Sequence, residues 1–168
     1  MRLASADFLA PWEPRRGANY LSRGAFKHRV TSSKIAVRKR TSVGFMVIRA
    51  QDAQIVGGIT LDNIQGGVAQ FCTVGYWMGA KFTRQGYMQE ALNACVRYGF
   101  EDLDISRIQA GCLPQNIPSR ALLEKSGFVC EGVAKKYLQI AGQWRDHVLY
   151  ATLRQDRAAD TGEGDGAE

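Results

Sequence analysis

The spacing of apolar positions changes character several times along this chain. Between Asn19 and Arg40, apolar residues fall at Tyr20, Ala25/Phe26, Val30, Ile35 and Val37. That loose stripe predicts helix, and Gly24 and the Thr31-Ser32-Ser33 run leave open whether it is one helix or two. Two β-rich runs follow, Gly44–Ala50 and Gln54–Ile64, joined by the short Gln51-Asp52-Ala53 turn, which predicts a hairpin. Val68–Met78 predicts a third strand. From Tyr87 to Asp102 the period is helical again, with Met88, Ala91, Leu92, Cys95, Val96 and Phe100 on one face. Ile105–Leu113 reads as a strand, and the turn Pro114–Pro118 leads into a helix over Ser119–Ser126 that Gly127 stops. Phe128–Ile140 and Trp144–Leu153 flank the turn Ala141-Gly142-Gln143 as a last pair of strands. The expected class is therefore α/β (α+β), a mixed central sheet flanked by helices, with a strand–loop–helix step near its middle.

Composition narrows this. The 168 residues fit one domain, and 45% apolar with 23% charged residues can build a real core. A wholly disordered chain, a collagen-like repeat and a disulfide scaffold are excluded. No apolar run approaches the roughly 20 residues of a membrane span, and the first residues lack the apolar core of a secretory signal. The expected location is cytoplasmic, with no membrane partner. The net charge of +6 is unevenly spread: residues 1–50 hold 11 Lys/Arg against Asp7 and Glu13, a net of +9, and the remainder nets −3. Arg15, Arg16, Arg23, Lys27, Arg29, Lys34, Arg38, Lys39 and Arg40 carry the excess. They read either as a solvated helix face or as an attraction for an anionic partner. Residues 156–168 are acidic and rich in Gly and Ala, and are expected to be a disordered tail after a domain of residues 1–155. Cys72, Cys95, Cys112 and Cys130 form no C-x-x-C pair and lie apart in sequence from His28 and His147. No zinc site is expected, and each thiol is expected to be a small buried hydrophobe.

The strand–loop–helix step offers chemistry. The loop before Tyr87 runs through Gly86 straight into a helix N-terminus, where free amides and the helix dipole attract phosphate. Lys81 and Arg84 add positive charge. The loop matches neither the G-x-x-x-x-G-K-[ST] nor the G-x-G-x-x-G pattern.

Three stretches, VGYWMGAKFTRQGYMQEAL, IQAGCLPQNIPSRALLEKSGF and EGVAKKYLQIAGQWRDHVLYATL, resemble the GNAT superfamily of acetyl-CoA-dependent N-acetyltransferases. The closer likeness is to the RimJ/RimL type, which acetylates ribosomal-protein N-termini, and it covers roughly residues 5–155. The resemblance implies that Lys81–Gly86 stands in the place of the family's Q/R-x-x-G-x-G/A loop, with Arg84 where the first Gly would be. It implies that the backbone of Arg84, Gln85, Gly86, Tyr87 and Met88 holds the CoA pyrophosphate. The strand through Tyr76, Trp77 and Met78 would splay from its neighbour and pair with the pantetheine arm, one amide polarising the thioester carbonyl. Asn116 and Arg120 complete the implied cofactor residues; Asn116 reads equally as a helix cap.

The superfamily's usual acid, a Tyr seven residues after that Asn, is here Leu123. The resemblance puts Ser119 in its place, set against a plain first-turn residue. Glu131 and Asp62 are the candidate bases, with a water relay as the alternative; Glu90, Trp144, Asp146 and His147 are expected to be structural. The cosubstrate implied is acetyl-CoA, without a metal. The partners implied are a protein N-terminus or a small-molecule amine as acceptor, with the ribosome and a second copy of the chain as candidates. A module that binds CoA or RNA without turnover is the competing reading. The family's first strand and helix normally precede the equivalent of Phe8–Pro14, so the first strand is expected to be missing.

Overall fold

The computed structural model describes residues 1–154. The expectation of an acidic disordered tail falls outside the described residues. Six strands form one sheet in the order β1-β2-β3-β4-β6-β5. These are β1 (Val43–Arg49), β2 (Gln54–Gln65), β3 (Phe71–Met78), β4 (Arg107–Cys112), β5 (Val129–Ile140) and β6 (Gln143–Leu153). Every neighbouring pair is antiparallel except β3 and β4. That pair is parallel because a helix crossover joins it. The helices are α1 (Ala6–Leu9), α2 (Arg23–Arg38), α3 (Tyr87–Glu101) and α4 (Ile117–Lys125).

The core lies between the sheet and α3. Met88, Leu92 and Cys95 of α3 meet Ile59, Leu61, Cys72, Val74 and Ile108 of the sheet. The helix approaches closely at Gly99, where an added Cβ would lie 2.8 Å from Ile108 Cδ1. The mixed α/β class and the element order agree with the sequence expectation. Boundaries shift by a few residues, three of them for a clear local reason. The third strand starts at Phe71, since the Gly66-Gly67 turn leaves Val68 fully exposed. The first long helix starts at Arg23, where Ser22 Oγ accepts a hydrogen bond from Ala25 N at 3.2 Å. The last starts at Ile117, because Asn116 Oδ1 caps it by accepting from Ser119 N at 3.3 Å.

One expectation is corrected. The thiols are not uniformly buried: Cys130 is exposed on the outer strand β5, whereas Cys72, Cys95 and Cys112 lie inside. The apolar stripe of α2 meets no core among the described residues, since the helix buries none of its side chains. Phe26 stays 53% exposed. α2 is one continuous helix, with Gly24 in its first turn and Thr31–Ser33 inside it.

Residues 1–22 cross the other end of the sheet as a strap. Ser5 is buried there, and its Oγ accepts from Ala80 N, just past β3, at 3.1 Å. At the far side, Glu13 O accepts from Ala141 N in the β5–β6 turn at 2.9 Å.

Candidate active site

β3 and β4 pair over only three rungs, Phe71–Thr73 against Arg107–Gln109. Beyond them β3 runs on to Met78 along β2, and β4 runs on to Cys112 along β6. The two strands therefore part, and from Val74 onward the inner edge of β3 has backbone groups with no partner strand. Unpaired strand groups seek an extended partner. The same edge leads through a short turn to the start of α3. Gly86 sits there at φ +86°, and no side chain caps the helix. A Cβ added at Gly86 would meet nothing within 4 Å, so the approach to these amides is open. Gln85 Nε2 braces the loop by donating to Lys81 O at 2.9 Å. Arg84, where the resemblance expects Gly, takes the left-handed conformation at φ +60°. Arg84 and Gln85 are exposed and Tyr87 is half-buried. The Met88 side chain is in the core, leaving only its backbone for a ligand.

A second cluster stands across the parting of the strands. The Tyr76 and Ser119 hydroxyls are 2.8 Å apart, and Tyr76 Oη also donates weakly to Ser119 O at 3.4 Å. Burial pushes the Tyr76 phenol above its ordinary range, against the opposing effect of Ser119. It therefore stays protonated, and either hydroxyl of the pair can donate to the other. With the phenol donating, the Ser119 hydroxyl proton is left to point elsewhere. Burial likewise raises the Cys112 thiol, which the Ser119 hydroxyl and the Arg120 charge partly offset. Asn116 caps α4, which fixes where Ser119 sits. Arg120 is turned beneath the helix: its Nε donates to Tyr150 Oη at 3.2 Å, and Tyr150 donates to Glu124 at 2.8 Å. Sequence reasoning missed Glu124 and Tyr150, although Arg120 and Glu124 stand four apart on one helix, a spacing that signals a pair.

Trp77 points to the opposite face of the sheet from Tyr76. It lies over Gly58, where an added Cβ would be 2.6 Å from its Nε1, and the Arg2 guanidinium is 4.7 Å from its ring centroid. Met78 packs against the core. The two candidate bases have partners other than Ser119. Asp62 pairs with Thr73 on the last rung before the strands part, and its carboxylate accepts from Asn63 N at 3.0 Å. Glu131 lies on β5, two strands away from the gap, and is ion-paired with Arg107 at the start of β4. Asp146 accepts from Lys135 Nζ at 2.8 Å and Lys136 N at 2.9 Å across an irregularity in β5, and these bonds hold its carboxyl below the usual range. His147 is buried against Tyr137. No group of His, Cys, Asp and Glu among the described residues could hold a metal ion, and no helix there is long and apolar enough to cross a membrane.

Comparison with known proteins gives the family and the fold. Residues 3–129 match the acetyltransferase (GNAT) domain family. The chain is 36% identical to the [ribosomal protein uS5]-alanine N-acetyltransferase of Escherichia coli over 149 residues, 89% of this chain and 77% of that one. The crystal structure of ribosomal-protein-S5-alanine acetyltransferase from Vibrio fischeri superposes with a TM-score of 0.87 at 30% identity, covering 92% of this chain and 85% of that one. Mycobacterium smegmatis RimJ in complex with CoA-disulfide gives 0.84 at 32% identity, covering 90% and 73%. An open strand edge that runs into an uncapped helix N-terminus suits a long ligand with a phosphate group and an amide-bearing arm. On these grounds the chain belongs to the GNAT family and is an acetyl-CoA-dependent N-acetyltransferase.

Proposed function

We propose that this chain acetylates the N-terminal α-amine of a protein, with a ribosomal protein as its acceptor. The name of the 36%-identical relative supports the acceptor class. The observation that carries the chemistry is the Tyr76–Ser119 hydroxyl pair at the parting of β3 and β4.

Acetyl-CoA, when bound, supplies an activated acetyl carbon and a thiolate leaving group. The chain's own residues do the rest. The amides at the start of α3 (Tyr87, Met88), together with Arg84, hold phosphate. The free edge of β3 aligns the pantetheine arm, and an amide of that edge polarises the thioester carbonyl. Ser119, held by Tyr76, directs its hydroxyl at the departing sulfur. Side-by-side binding of the two substrates supplies much of the acceleration. Asp62 and Glu131 are engaged by Asn63 N and Arg107, and in this reading the acceptor loses its proton to water. That suits an α-amine, whose pKa lies near 8, and not a lysine near 10.4.

The experiment offers acetyl-CoA with three acceptors: a peptide with a free N-terminal alanine, the same peptide N-blocked with one internal lysine, and a small polyamine. Mass spectrometry is expected to find acetyl on the first alone. Acetylation of the lysine or the polyamine with the α-amine untouched would overturn the proposal.

A further inference from the structure

The strap carries a cavity of about 360 Å³ between its own turns and the β5–β6 turn. Its charged lining is unbalanced. Arg2, Arg15 and Arg16 face it with Glu13 as the single carboxylate. Glu13 is paired with Arg2 and lies 3.8 Å from Arg16. Arg15 makes no ion pair among the described residues. Tyr20 is the hub of the cluster: the guanidinium carbons of Arg29, Arg16 and Arg2 lie 4.2, 4.5 and 5.9 Å from its ring centroid. Arg29 also donates to Tyr20 O at 2.5 Å. Stacking on an aromatic ring holds these guanidinium groups in place; Arg2 and Arg29 commit part of their in-plane donors, to Glu13 and to Tyr20 O, and Arg15 keeps its own unpaired among the described residues. The cavity is thus a partly preorganised cationic pocket with apolar walls at Leu9 and Leu21.

Its position gives it a role. α3 covers the face of the sheet that carries Ile59, Leu61 and Val74. A cofactor whose phosphates sit at the start of α3 approaches along that side and leaves the other open to the acceptor. The strap spans that other side, from Ala80 beyond β3 to Ala141 in the β5–β6 turn. Arg2 joins the pocket directly to Trp77 on β3.

We infer that this pocket binds an acidic side chain of the acceptor polypeptide, downstream of the amine to be acetylated. This rests on the α-amine reading above. Excess arginine selects for carboxylate, and paired N–H donors fit it bidentately. Glu13 at the centre disfavours a densely charged phosphate backbone, and the apolar walls suit the methylenes of Asp or Glu. The pocket thereby adds a charge criterion to acceptor choice, separate from the chemistry at Ser119.

The test uses three peptides that share a free N-terminal alanine and differ only in carrying Glu, Gln or Lys at the next few positions. The acidic peptide is expected to show a kcat/KM about tenfold above the lysine peptide, the size that one or two half-exposed charge pairs provide. The difference should lie in the peptide KM and shrink with added salt. Arg16→Glu should reverse the order, with the change in peptide KM rather than in the KM for acetyl-CoA. Calorimetric titration of the same peptides into CoA-loaded protein reads the preference without turnover. If no peptide is acetylated but the acidic one still binds best, the acetylation reading fails and the pocket stands. Equal affinities for all three peptides, or an Arg16→Glu effect on acetyl-CoA instead, would overturn the inference.

Discussion

Tyr76 and Ser119 are 43 positions apart, and only the fold places their hydroxyls 2.8 Å from each other. No spacing rule could pair a strand tyrosine with a first-turn helix serine. Ser119 was legible as a candidate through the family resemblance; its partner was not. The pairing has a kinetic signature. Tyr76→Phe leaves Ser119 in place but removes the hydroxyl that orients it. It is expected to lower kcat about tenfold, the worth of one hydrogen bond, with little change in the KM for acetyl-CoA. Ser119→Ala should cost at least as much. Steady-state kinetics of both variants check this, and a Tyr76→Phe enzyme with wild-type kcat would remove Tyr76 from the mechanism. Because burial holds the phenol protonated above its ordinary range, the wild-type rate should rise with pH as the acceptor amine deprotonates. It should show no descending limb as pH approaches 10, where an ordinary tyrosine would ionise.

At the scale of elements, the periodicity rules worked where one face of an element met the core. α3 was legible almost to the residue, because Met88, Leu92 and Cys95 share one buried face. The same rule found α2 as a helix, but its stripe faces solvent. Tertiary position, which a local window does not contain, decides that difference. The loop before α3 holds the most informative departure. Arg84 adopts φ +60°, a conformation that costs a side-chain-bearing residue about 1–2 kcal/mol. Arg84→Gly relieves that cost but adds the roughly 0.5–1 kcal/mol of backbone freedom that glycine loses on folding. Thermal melts should therefore show a variant as stable as the parent or up to about 1.5 kcal/mol more stable. The same variant should bind CoA more weakly, since it loses a cation beside the phosphate. Tighter CoA binding by Arg84→Gly would mean that the arginine obstructs the site.

For the molecule as a whole, the expected class and element order were recoverable because each strand and helix after α2 carries its own turn or cap signal. The parting of β3 and β4 was not readable from periodicity: both strands remain β-rich on either side of Thr73, and the family resemblance alone implied it. Global stability offers a pH test. Burial raises Cys72 to about 12 and Cys95 to about 11, from 9.0. Below pH 9 these thiols are protonated whether the chain is folded or not, so their contribution is fully present. Above pH 9 the unfolded chain releases protons that the folded chain retains, and stability is lost as pH rises toward 11–12. The melting temperature should be flat near pH 8 and fall above 9, and alanine at both positions should flatten that fall relative to the parent.

The central claim is that the free edge of β3 and the uncapped start of α3 form one acetyl-CoA site. Hydrogen exchange of the whole chain, with and without CoA, tests it most directly. Protection is predicted in two places together, at the amides of Val74–Met78 and at those of Gly86–Met88. CoA binding that protects neither segment, or only one of them, would contradict the account.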